Sequence, residues 1–101
     1  MMQIFVPKNE KGKESHYWGK ADSENLLRFD LSEDEYYKLF KHHVFEILNE
    51  KYDLWIDNGE SETITAEQLK ESYKEISLLK GVWLEAVNKA IEYGTCVFLD
   101  F

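Results

Sequence analysis

The sequence predicts a single α+β domain, with about three helices packed on a mixed, mostly antiparallel sheet of four to five strands. Three observations carry that reading. Apolar residues alternate with period two in some segments and recur with period 3.6 in others. Two capping signatures place helix starts. The hairpin and helical segments do not alternate as strict βαβ units. At 101 residues the chain matches one domain with one core. Hydrophobic residues make up 44% of it and aromatics 15%, enough apolar surface to offset the ordering entropy that leaves polar, highly charged chains unfolded.

Met2 to Val6 are β-formers that stop at Pro7, which cannot donate to a ladder and so suits a strand end. Lys8 to Ser15 is charged and contains Gly12, the mark of an exposed loop, and Tyr17, Trp18 and Gly19 follow as an aromatic patch without a period. Leu27, Phe29 and Leu31 alternate with Arg28 and Asp30, which predicts a half-buried strand. Ser32 before Glu33, Asp34 and Glu35 forms a capping box and complements a helix dipole. The stripe Tyr36, Phe40, Val44, Ile47 and Leu48, with Leu39 alongside, predicts one continuous helix to about Asn49.

Asp53 to Asp57 reads as a strand, Asn58-Gly59 as a type I′ turn, and Glu60 to Thr65 as the returning strand of a hairpin. In that register Ile56 faces Ser61 and Trp55 faces Glu62, so the second strand is polar and belongs at an edge. Thr65 to Gln68 is a second capping box, and Leu69, Tyr73, Ile76 and Leu79 or Lys80 mark one face of the helix it starts. Gly81 interrupts. A further helix carries Trp83, Val87, Ala90 and Ile91 on one side and ends at Gly94. The nearly unbroken apolar run from Thr95 to Phe101 predicts a central strand covered on both faces, and leaves parallel pairing with the first strand open.

Twenty acidic against twelve basic residues give a formal charge of -8, which repels phosphate backbones and anionic lipid. Direct nucleic-acid and membrane partners are therefore not expected. Cys96 is the single cysteine and has no partner for an internal disulfide, so a reducing cytoplasm fits best. The apolar start is broken by Gln3 and lacks a basic flank, and no run approaches the roughly 20 apolar residues of a membrane helix, so neither a signal peptide nor a span is expected.

No phosphate loop, zinc-helix pattern or nucleophile elbow occurs. His42 and His43 are adjacent on a helix, so their side chains diverge by about 100° and cannot share a metal. His43 is expected to be half-buried beside the stripe, His42 solvated, and His16 in a loop. Cys96 sits in an apolar strand, the setting of an inert thiol. Asp57, Glu60 and Glu62 cluster at the hairpin without the ligand order of a calcium loop. The expectation is a chain with no catalytic residues, metal or cofactor.

The distribution of acid is the informative feature that remains. Glu67, Glu71 and Glu75 recur at four-residue spacing on one helical side. A solvated face is the bland account. The sharper one is an interaction surface in which carboxylates steer a basic protein and Trp55, with Trp18 and Tyr17 as further candidates, anchors it. On that reading the partner-binding residues are Trp55, Asp57, Glu60, Glu67, Glu71 and Glu75.

Leu79, Trp83, Ala86, Ala90, Gly94 and the run from Cys96 to Phe101 resemble the closing helix, glycine and apolar last strand of barstar-like ribonuclease inhibitors. The chain is also similar in size and charge to small acidic bacterial toxin-immunity proteins. The resemblance implies a non-enzymatic cytoplasmic inhibitor that blocks a basic toxin or nuclease with a carboxylate-rich helix and loop. Three other classes remain open. A phage or mobile-element DNA mimic needs rows of carboxylates roughly 6 to 7 Å apart over more than one helix. A structural, self-associating domain with no ligand, a homodimer being possible, calls for large apolar patches and a symmetric dimer. A small enzyme is favoured only by a deep pocket where an acid, a histidine and a polar group converge.

Overall fold

The computed structural model describes residues 2–20, 22–57 and 61–101. In chain order the elements are β1 (Met2–Pro7), α1 (Glu10–Tyr17), β2 (Leu26–Leu31), α2 (Glu33–Lys41), α3 (Val44–Tyr52), β3 (Ser61–Thr65), α4 (Ala66–Glu71), α5 (Tyr73–Ile76), α6 (Val82–Tyr93) and β4 (Cys96–Asp100). The fold is α+β, with helices on an antiparallel sheet of strand order β2-β1-β4-β3. The first and last strands pair antiparallel. Gly94, left-handed at φ 65°, turns the chain out of α6, and Thr95 Oγ1 donates to Pro7 O at 2.6 Å, so β4 starts beside the end of β1.

Strand alternation sends Ile4, Val6, Ile64, Val97 and Leu99 to one face. There they meet Val44, Phe45 and Leu48 of α3, Leu69 of α4, and Trp83, Ala86, Val87 and Ala90 of α6 in one core. Trp83 donates its indole N–H to Ile76 O at 2.9 Å, so its one polar atom is satisfied inside the core. Edge strand β3 is polar as its composition predicts, with Ile64 as its one fully buried residue.

Four expectations are corrected. The charged segment after Pro7 is not a loop but α1. Asn9 caps it by accepting from Gly12 N at 3.0 Å, and the helix lies on the second face of the sheet through buried Gly12. The predicted single helix after Ser32 is two, because His43 adopts a left-handed φ of 64° and rotates α3 relative to α2. Phe40 is consequently 61% exposed and Phe45 only 2%. Both histidines at that break are exposed, and His43 Nδ1 lies 2.8 Å from Glu46 rather than against the core. Finally, residues 53–57 form no strand, since β3 pairs with β4 alone among the described residues. The Asn58-Gly59 turn and Glu60 lie outside the described residues.

The capping boxes behave differently from each other. Thr65 and Gln68 exchange both bonds, at 3.0 and 3.2 Å. Ser32 accepts from Glu35 N at 3.1 Å, but the Glu35 carboxylate reaches instead to Val82 N at 3.0 Å and caps α6. The helix from Thr65 is broken at buried Ser72 into α4 and α5.

Candidate protein-binding surface

The surface begins where α3 ends. Asp53 takes a left-handed φ of 56° and turns the chain out of the helix. The extended residues after it are held by side chains rather than by a ladder. Asn49 accepts from Ile56 N at 2.7 Å and donates to Ile56 O at 3.2 Å, the bond pair a neighbouring strand would make. Ile56 is thereby drawn into the core at 6% exposure, and alternation points Trp55 and Asp57 outward. Glu62 Oε2 accepts from Trp55 N at 2.8 Å. The backbone of Trp55 is thus pinned on both sides while its indole is 76% exposed.

A second cluster adjoins the first. Tyr52 carries its phenol to the α4–α5 junction, 2.7 Å from Glu71 Oε1, 2.8 Å from Ser72 Oγ and 3.1 Å from Gln68 O. Burial raises this phenol above its ordinary 10.0, against the hydrogen bond Ser72 gives it and with the support of the Glu71 carboxylate. It therefore stays a donor, fixing Glu71 in place. Lys51 Nζ lies 3.9 Å from both Glu71 and Glu75. The three residues from Tyr52 to Trp55 span at most about 11 Å, so the clusters share a border.

The structure brings Glu71 and Glu75 together around one lysine, despite the helix break between them. Glu67 is exposed a turn earlier on α4, and Asp57 is exposed beside Ile56. Glu60 lies outside the described residues. Tyr17 and Trp18, 79% and 70% exposed, stand at the end of α1. The hairpin register set Glu62 opposite Trp55, but no sequence signal pointed to Asn49, Lys51 or Tyr52 as mounts of this surface, because each acts across a turn or from another element.

A second feature lies on the opposite face of the sheet. His16 stacks on Phe98 with centroids 3.9 Å apart and planes 4° from parallel, and its Nε2 is 3.1 Å from Asp100 Oδ2. It borders an open groove of about 570 Å³ with Phe5 and Leu27 in its wall. The carboxylate orients the ring, yet Ser15, the adjacent hydroxyl, is turned to Lys11 O and Asp22. The contact docks α1 on the sheet and brings no nucleophile to the histidine.

Cys96 is buried at 4% exposure, and burial pushes its thiol up from 9.0 to about 11. The raised value belongs to the folded state, so the neutral thiol's contribution to stability is intact below pH 9 and is lost as pH climbs toward about 11. Native protein at neutral pH is expected to resist a chromogenic disulfide reagent until denaturant is added. Rapid labelling of the native chain would contradict that.

No helix among the described residues is long and apolar enough to cross a membrane. No protein-family profile, curated protein or solved structure matches the chain.

Proposed function

We propose that this chain is a non-enzymatic, acidic protein-binding module of the immunity or inhibitor type, which captures a basic protein through the surface around Trp55. The observation that carries the reading is Trp55 itself, an indole 76% exposed on a backbone pinned by Asn49 through Ile56 and by Glu62. A large aromatic carried on a fixed backbone segment spares binding the cost of ordering that segment.

The charge distribution supports the same reading. A net charge of -8 draws in a basic partner over long range at low salt. At contact, Lys51 sits 3.9 Å from both Glu71 and Glu75, too far for a hydrogen bond. So loose an exposed pair contributes little. A partner's arginine could replace it with a bidentate, charge-assisted contact, while Asp57 and Glu67 extend the acidic rim.

Affinity capture from the native cell lysate at low and high salt tests the proposal. The expected result is a basic protein retained at low salt, weakened at high salt, and lost when Glu71 and Glu75 are both changed to Gln. Retention of no basic protein, or of one indifferent to salt and to both substitutions, would contradict it.

A further inference from the structure

We infer that the open edge of β2 is a self-complementary surface that pairs with β2 of a second copy in a register centred on Phe29. The inference does not rest on the reading of Trp55.

The direction of the backbone groups is set by one bond. Lys8 N donates to Asn25 O at 2.8 Å, which makes these residues a hydrogen-bonded pair at the end of the β1–β2 ladder. Such pairs alternate along an antiparallel ladder, so Leu27, Phe29 and Leu31 turn their N–H and C=O groups toward β1. Leu26, Arg28 and Asp30 turn theirs to the outer side, where the Leu26 N–H is taken by Asp22 O at 2.8 Å. Pro7 agrees with this phase, since it lies opposite Leu26, where β1 needs no donor. Among the described residues no strand covers that outer side, because β2 ends the sheet.

The side chains select the partner. Arg28 and Asp30 are 58% and 55% exposed, 3.3 Å apart, and lie on the face away from the core. In a twofold pairing centred on Phe29, Arg28 of each copy falls opposite Asp30 of the other, as the symmetry of an isologous contact requires. The outward backbone groups of the same residues then meet as hydrogen-bonded pairs, about four N–H to O=C bonds in all. Phe29, half-buried at the rim of the core, meets its own copy at the close, non-hydrogen-bonded position. Centring the pair on Arg28 or Asp30 instead would set like charges opposite each other, so the charges admit the Phe29 register and disfavour its neighbours. Charged residues on an edge commonly guard it against pairing. Here their opposite signs, one residue either side of a twofold centre, favour pairing with a copy. The four strands become eight, and because β3 is the other edge, the two Trp55 surfaces face outward at opposite ends.

Sedimentation equilibrium over a concentration series into the millimolar range tests the pairing. The expected wild-type mass rises toward twice the 12.0 kDa chain. Arg28→Asp alone leaves an all-acidic edge and Asp30→Arg alone an all-basic one, and each is expected to weaken self-association at least about tenfold. Mixing these two folded variants should restore a dimer, since each edge then complements the other. Protection of the Arg28 and Asp30 amides from exchange should rise with concentration, whereas the Leu26 amide is already bonded to Asp22 O at 2.8 Å within one chain. A wild-type chain that stays monomeric throughout would overturn the inference, as would a dimer that survives both single reversals or variants that do not associate on mixing.

Discussion

Replacing Trp55 with Ala is expected to weaken binding of the basic partner by about thirtyfold or more, since truncating a central aromatic anchor typically costs about 2 kcal/mol or more. The same substitution should leave the fold untouched. The ring is 76% exposed, and the bonds that hold the segment run through backbone atoms and through Asn49 and Glu62 rather than through the indole. Exposed substitutions of this kind usually move stability by less than about 0.5 kcal/mol. Titration calorimetry and a urea melt on the same preparation separate the two effects. Wild-type affinity in the Trp55→Ala protein would show that the indole is no anchor.

Gly12→Ala is expected to be the most damaging small change on the surface of the sheet, at about 3 kcal/mol. A Cβ there would fall 2.0 Å from Asn25 O, 2.9 Å from its carbonyl carbon and 3.1 Å from Pro7 Cβ. These are mostly backbone atoms and cannot swing aside. The helix is also tied down at both ends, by Asn9 Nδ2 donating to Asn25 Oδ1 at 2.9 Å and by the stack of His16 on Phe98. To admit one methyl group, α1 must lift and loosen those ties. A shift of the urea midpoint by less than about 0.5 kcal/mol equivalent would show that α1 does not seat through Gly12.

The same glycine explains why α1 was hidden in the sequence. A helix that packs through Gly12 and His16 has no apolar stripe to reveal its period, so a charged stretch with a glycine reads as a loop. Elements that bury an ordinary apolar face were legible. Leu27, Phe29 and Leu31 mark β2, the run after Thr95 marks a central strand, and the Thr65–Gln68 box marks the start of α4. The break at His43 was not legible, because a left-handed histidine leaves no compositional trace and the stripe continues through it at nearly the right spacing.

The candidate surface divides in the same way. Trp55 was expected to lie open because the strand opposite offered it only polar residues, and it does lie open. Its mount is different, since Asn49 supplies the bonds a hairpin partner was expected to make. Four-residue spacing correctly placed Glu71 beside Glu75, because Ser72 interrupts the helix without turning its face away. Lys51, which reaches both acids from α3, could be found only in three dimensions.

Whether a basic protein docks around Trp55 is decided by hydrogen exchange of the chain with and without its captured partner. Slowed exchange is predicted at residues 53–57 and 67–75, with little change along α1. Protection confined to α1 and the groove beside His16, with residues 53–57 unaffected, would contradict that docking and move the binding surface to the other face of the sheet.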